Sequence, residues 1–349
     1  MMTVHHPQAS ERHESPGLRS SRRLPRAIQP MLPASSPDPF DSPAHIFEVL
    51  WDGIRALAFL EDGAIRIQDR WGRDITHRYP ELGAMAGSIR ENGAVIDGEI
   101  VSLDDNGMPS FSRLRSRLGV DDPALARDLA DVAPVTFQAF DLLYRERQPV
   151  TGWPLRRRKE MLLTLVRPAH AIDVPDWVSR DGVAFFEAAR NHGLEGVVAK
   201  EIDGRYVPGE RVGSWLTVRV YRKSRFLIGG YTYGGDWNPR GTLKKRPPVS
   251  SLLIGRLAPD GRLRFAGEVR GGFSPADARE IARQLDEIAS PACPFDRPTV
   301  ASRLVFWCRP ELAATVRYAG RDATGALRFP VFEALRPDVP AESCADEDV

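Results

Sequence analysis

Lysine is scarce in this chain. Among 349 residues it occurs only at Lys159, Lys200, Lys223, Lys244 and Lys245, and arginine makes up the rest of the 48 basic residues. Either cation solubilises a surface. Only the lysine amine readily gives up its proton to become a nucleophile, so the scarcity restricts where amine chemistry can occur. Cysteine is also rare: Cys293, Cys308 and Cys344 are odd in number, far apart and outside CxxC spacing. That pattern argues against a disulfide framework and a zinc site, and fits a reducing cytoplasm. No run of about 18 apolar residues exists, so no transmembrane helix is expected. The opening MMTVHHPQASERHESPG has no apolar core, and no secretory leader is expected. Formal net charge is +1, so a global positive field is absent. Any nucleic-acid contact must then come from local arginine patches.

Residues 1–40 carry seven prolines and six serines with few large apolar groups. They read as a disordered tail. Strands are expected at 46–49, 55–60, 64–68, 94–102, 135–143 and 196–200, from period-2 alternation and β-branched enrichment. Helices are expected at 155–166 and 182–191. Turn signals such as Glu61-Asp62-Gly63 and Asp105-Asn106-Gly107 set short hairpin spacings. These favour an α+β domain of mainly antiparallel sheets over 41–222. From about 225 the texture changes to RFLIGGYTYGG, SLLIGRL, LRFAGEVRGG and RLVFWCRP, with one helix at 274–288. Five or so strands with one helix suggest an OB-fold β-barrel domain over 223–340, followed by a flexible C-terminus at 341–349.

Six stretches concentrate polar chemistry. Residues 47–59 read FEVLWDGIRALAF. Glu48 and Leu50 share one strand face there, and Phe47, Val49 and Trp51 the other. With the apolar side inward, Leu50 points to a cleft beside Glu48 and above Asp52 and Arg55. Asp52-Gly53 alone is also an ordinary turn signal. In Gln68-Asp69-Arg70-Trp71-Gly72-Arg73-Asp74 two arginines bracket a glycine, as in bidentate phosphate clamps or in a solvated loop. Asp97-Gly98-Glu99 interrupts an apolar strand with two carboxylates on one face, which is costly unless they meet cations or a metal. Phe140-Asp141 ends a strand with an aromatic and an acid, suited to a purine or to a core. Glu195 and Lys200 bound Glu-Gly-Val-Val-Ala-Lys, a carboxylate for a divalent ion and an ammonium for a phosphate. Thr217 and Arg219 share a strand face, and of the two only Arg219 carries charge.

In their order and spacing these motifs resemble the ATP-dependent DNA ligases, most of all the ligase domain of bacterial end-joining ligases, over residues 44–340. The resemblance implies a nucleotidyltransferase (adenylation) domain followed by an OB domain. In such enzymes a lysine amine attacks the α-phosphate of ATP, AMP passes to the 5′-phosphate of a nick, and the 3′-hydroxyl displaces it. Carried over, Glu48, Asp52, Gly53, Arg55, Phe140 and Arg219 would form the nucleotide site. Arg55 would meet ribose or phosphate, and Phe140 would stack on adenine. Glu99 and Glu195 would serve Mg2+ or Mn2+, Arg70 would lie near the nick or nucleotide phosphate, and Lys200 would contact phosphate.

The departures from the family pattern concern charge. The nucleophilic lysine falls at Leu50. Trp-x-Lys-x-Lys becomes Trp215-Leu216-Thr217-Val218-Arg219, and Arg-x-Asp-Lys becomes Arg336-Pro337-Asp338-Val339. Leucine has no lone pair and forms no phosphoramidate, so self-adenylation is expected to be absent. Four readings stay open. They are a non-adenylating homologue that binds nicked or double-strand-broken DNA, a protein that seals pre-adenylated nicks, a ligase with a replacement nucleophile such as Lys200, and an RNA-directed relative. The first two would involve a DNA-end-binding factor as partner, no membrane, a monomer and a nucleoid-associated cytoplasmic location. ATP or AMP binding is left open. The basic clusters at 113–117, 156–159 and 241–246 are the candidate phosphate contacts, with steep salt dependence expected.

Overall fold

The computed structural model describes residues 23–234, 248–296, 305–322 and 324–345. The cluster at 241–246 lies outside the described residues.

The first half contains strands β1 (Leu32–Ser35), β2 (Ser42–Val49), β3 (Ile54–Glu61), β4 (Ala64–Asp69), β5 (Ala94–Val101), β6 (Thr136–Arg145), β7 (Gln148–Pro149), β8 (Ile172–Asp173), β9 (Val178–Arg180), β10 (Gly196–Glu201) and β11 (Arg211–Arg219). Its helices are α1 (Phe111–Arg115), α2 (Pro123–Val132), α3 (Leu155–Leu165) and α4 (Gly182–Asn191). Two sheets result, ordered β1-β11-β10-β2-β9 and β4-β3-β5-β6-β7, with β8 beside β6. All pairings are antiparallel except β1 with β11 and β6 with β8.

The alternation along β3 explains the layering. Ala56, Ala58 and Leu60 face one core with Leu82, Met85 and Leu162. Leu57 and Phe59 face a second core between the sheets, with Phe140, Tyr206 and Trp215. Arg55 shares the Leu57 face, and its Cα partner across β5 is Glu99. Period 2 therefore aims Arg55, Asp97 and Glu99 into the space between the sheets.

Part of the segment expected to be a disordered tail is ordered. Met31 is fully buried, and Leu24 and Ile28 join the same inter-sheet core. The Gln68 amide holds the Ile28 backbone, accepting from its N–H at 3.1 Å and donating to its carbonyl at 2.6 Å. These apolar residues recur at 24, 28 and 31, a spacing that proline content obscures.

The second half adds β12 (Arg222–Tyr233), β13 (Val249–Leu257), β14 (Leu263–Val269), helix α5 (Pro275–Glu287), β15 (Phe306–Trp307), β16 (Ala313–Tyr318), β17 (Gly320–Arg321), β18 (Leu327–Arg328) and β19 (Val331–Arg336). The expected OB-fold barrel is not formed. The sheet runs β14-β13-β12-β16-β19 with β15 on β12, and no sheet closes on itself among the described residues. A barrel needs its two outer strands to pair. Here Ile281 and Leu285 of α5 pack on Phe226, Ile228, Leu252 and Val316, so a helix takes part in covering the apolar face of the sheet. Ser274 and Asp277 form a reciprocal capping box that starts this helix.

Candidate functional site

The end of β2 carries the first site residues. Glu48 is 2% exposed, far more enclosed than a cleft-facing position would be. One carboxylate oxygen accepts from Lys200 Nζ at 2.7 Å, and the other forms an ion pair with Lys159 Nζ at 2.6 Å. Burial alone would raise this carboxyl, but the two ammoniums outweigh it and hold it below the usual range. Lys200 is also buried, with its ammonium 4.2 Å from the Phe140 ring and 4.1 Å from the Trp215 ring. Burial lowers it to about 8 against the pull of Glu48. Leu50 follows directly, its backbone N–H bonded to the Gly196 carbonyl at 3.0 Å, which fixes the chain between β2 and the turn.

The turn itself is tight. A Cβ at Gly53 would lie 2.4 Å from the Ile100 carbonyl oxygen and 2.8 Å from Glu99 Cγ, so only glycine fits. Arg55 makes two 2.7 Å bonds to the fully buried Asp97 carboxylate, which also accepts from the Tyr206 hydroxyl at 2.7 Å. That pairing overcomes burial and raises the guanidinium further above its ordinary value. The Arg55 guanidinium lies 4.5 Å from the Phe140 ring centre. Phe140 is 6% exposed. With Arg55 and Lys200 at its ring, a purine stacks there only after one of them moves.

Asp52, Glu99 and Glu195 lie near enough to one another for their charges to interact. Burial, then the charges of Asp97, Asp52 and Glu195, outweigh Arg55 and push Glu99 up to about 8. Burial and Asp52 likewise raise Glu195, despite Arg328 and Arg219. A nearby cation relieves such mutual repulsion, and for Asp52 and Glu195 that cation is Arg328, so these acids would take a divalent ion only once Arg328 has moved away. Among the described residues no three acidic, histidine or cysteine side chains converge closely enough to enclose a metal unaided. Between Asp52 and Glu195 lies Arg328 of β18, bonded to Asp52 at 3.0 Å and to Glu195 at 2.6 Å. Sequence reasoning missed Arg328, because its partners are remote in the chain and belong to the first half. Arg219 pairs with Glu195 at 3.0 Å and lies 4.0 Å from the Phe329 ring centre.

A cleft of about 330 Å3 opens beside this group, lined by Gly53, Arg55, Arg70, Arg73, Arg78 and Glu99 among others. It brings together Gly53, Arg55, Arg70 and Glu99 of the sequence-derived set. Glu48, Phe140 and Lys200 lie in the inter-sheet interior, and Asp52, Glu195 and Arg219 at the contact with β18. The basic clusters meet a different fate from the surface role expected. Arg117 is fully buried on Glu81 at 2.6 Å, and Arg158 is fully buried on Asp141 at 2.7 Å. With Lys159 on Glu48, these three are internal counter-ions and cannot touch a DNA backbone. Arg113, Arg115, Arg156 and Arg157 remain exposed.

A family model of the ATP dependent DNA ligase domain matches residues 30–219, and one of the ATP dependent DNA ligase C terminal region matches residues 245–339. The chain belongs to the ATP-dependent DNA ligase family. The multifunctional non-homologous end joining DNA repair protein LigD of Mycobacterium tuberculosis is 37% identical over 294 residues, 84% of this chain and 36% of that protein. This chain thus spans little more than a third of that relative. DNA ligase C2 of Mycolicibacterium smegmatis is 31% identical over 88% of this chain and 84% of its own length. The crystal structure of the ligase domain of M. tuberculosis LigD superposes with a TM-score of 0.51 at 34% identity, covering 92% of this chain and 98% of that one.

In this ligase-family chain the other two uncharged positions are structurally occupied. Thr217 donates its hydroxyl to the Ala34 carbonyl at 3.1 Å, joining β11 to β1. Val339 is 6% exposed and packs with Leu227, Leu253 and Leu263. Neither residue supplies a cation.

Proposed function

We propose that this ligase-family chain binds nicked or broken DNA in repair and does not form a covalent adenylate of its own. One observation carries the reading: leucine stands at position 50, and both lysines that reach strand β2 are committed to Glu48. In-line attack on phosphorus needs a free, neutral amine. Lys200 is buried, bonded to Glu48 and mostly protonated at pH 7. Lys159 is 1% exposed and ion-paired. Lys223 lies in the second half, paired with Glu333 at 2.8 Å. Among the described residues, no lysine offers a ready replacement nucleophile.

A second reading is favoured by the cleft that joins Arg55, Arg70 and Glu99. Sealing a pre-adenylated nick needs no enzyme amine. The 3′-hydroxyl oxygen bonds to the 5′-phosphorus, its proton passes to a base, and the phosphoanhydride bond breaks to release AMP. Arginines in the cleft would neutralise the phosphate, and Mg2+ or Mn2+, if held by Glu99 and Glu195, would supply charge stabilisation. An end-binding protein as partner, a monomeric state and a nucleoid location belong to the same proposal.

The test is incubation with α-labelled ATP and magnesium, beside a Leu50→Lys variant. No covalent AMP is expected on the parent. Little is expected on the variant, because positions 217 and 339 stay uncharged. An AMP adduct on the parent, mapped by mass spectrometry, would overturn the proposal. Pre-adenylated nicked duplex tests the second reading: no sealing where an intact ligase seals would reject it.

A further inference from the structure

Trp71 stands 63% exposed at the tip of the loop after β4, on the rim of the arginine-lined cleft. A single exposed apolar residue is ordinary on a protein surface, and what singles out this one is its place on the rim of a cleft with arginines beside it. The ring is not needed to shape its own loop. The Asp69 carboxylate accepts from the Trp71 N–H and the Arg73 N–H, both at 2.9 Å, and from Arg73 Nε at 2.7 Å. Gly72 supplies the left-handed turn at φ +88°, its N–H bonded to the Asp69 carbonyl at 3.0 Å. The Asp69 side chain is 3% exposed, so the tip is anchored from beneath. The backbone that carries the indole is therefore held in place.

The neighbours of the ring are cations. The Arg70 guanidinium lies 5.3 Å and the Arg73 guanidinium 4.9 Å from the ring centre. Both guanidiniums lie over the ring, as Arg55 does at Phe140, but here the ring is exposed, so either arginine can swing off it towards a phosphate and leave a face for a single unstacked nucleotide. The base stacks on the ring while the flanking phosphates meet the guanidiniums. An apolar protein partner would instead be opposed by these charges. Within a continuous duplex, bases are already stacked and offer no free face. The overhang of a broken end does.

We propose that Trp71, with Arg70 and Arg73, is a stacking platform for the unpaired base of a protruding single-stranded DNA end. This rests on the proposed action on broken DNA, and sharpens it to ends with an overhang over simple nicks.

The experiment places 2-aminopurine in a short 3′ overhang and, separately, beside a nick. It follows quenching and anisotropy with the full chain, Trp71→Ala and Trp71→Phe. The parent is expected to quench the overhang probe and to bind overhangs more tightly than nicks. Trp71→Ala should lose the quenching and weaken overhang binding about ten- to a hundredfold, with nick binding and salt slope unchanged. Trp71→Phe should retain most of both. An overhang preference equal in parent and Trp71→Ala would overturn the platform alone, and would leave the exposed ring to a protein contact. No binding of the parent to either DNA would overturn the platform together with the proposed function.

Discussion

Glu48→Gln is the most informative single change. The parent carboxylate neutralises two ammoniums in a site where Glu48, Lys159 and Lys200 are each no more than 2% exposed. Glutamine keeps the shape and can accept a hydrogen bond but carries no charge. Breaking a buried ion pair by removing one partner typically costs about 3–5 kcal/mol. In a domain of this size each kcal/mol shifts Tm by about 2–4 °C, so a drop of roughly 6–20 °C is expected. Differential scanning calorimetry measures it. The loss should shrink at pH 9. Glu48 holds Lys200 up at about 8, and without it the amine deprotonates more readily. A triple change of Glu48, Lys159 and Lys200 to methionine should recover most of the stability, because it removes the buried charges together. A Glu48→Gln variant that melts within about 2 °C of the parent at pH 7, under about 1 kcal/mol, would refute this reasoning. Glu48 would then be a solvated group free to serve a nucleotide.

Other expectations follow from the acidic group. Glu99 is raised from about 4.5 to about 8, so between those values the folded chain holds a proton that the unfolded chain has lost. Its contribution to stability therefore falls as pH rises through that window, by up to about 1.4 kcal/mol per unit. Glu99→Gln should flatten that slope in urea titrations at pH 5 to 9, and an unchanged slope would show that Glu99 is ordinarily ionised. Arg328→Met removes the guanidinium between Asp52 and Glu195. It should lower thermal stability without metal and tighten Mn2+ binding, read by electron paramagnetic resonance. Unchanged Mn2+ affinity would show that Arg328 does not compete for the acids.

Much of the first half was legible because hairpins declare themselves locally. The apolar-rich runs at 54–61 and 64–69 are joined directly by the turn at Asp62-Gly63, and α4 spans the same residues, 182–191, that read as a helix. Partners distant in sequence were not legible. Arg158 and Lys159 read as candidate phosphate contacts, yet Leu155, Arg158, Lys159, Leu162 and Leu165 form one helical stripe, and all five are buried. The spacing held that signal, but only the tertiary partners Asp141 and Glu48 make burial of a cation affordable. The barrel expectation failed for a related reason. Alternation says which face of a strand is apolar, but it does not say whether that face meets a far strand or helix α5. At the site, Gly53, Arg55, Arg70 and Glu99, each singled out in the sequence for a different role, line one cleft, while Arg328 carries no local mark at all.

Strand β1 has a consequence for synthesis. Ala34 accepts from Thr217, 183 residues later in the chain. At about 5–20 residues per second, translation leaves this strand waiting some 10–40 s for its partner. Through that interval Leu24, Ile28 and Met31 lack the Tyr206 and Trp215 part of their core, and the backbone of 32–35 is an open edge. Pro25, Pro30 and Pro33 punctuate this stretch. Proline lacks the N–H that a stray strand would recruit. Strand β1 is thus made long before β11, its neighbour in the sheet, and Pro33 leaves a stray strand one N–H fewer to recruit.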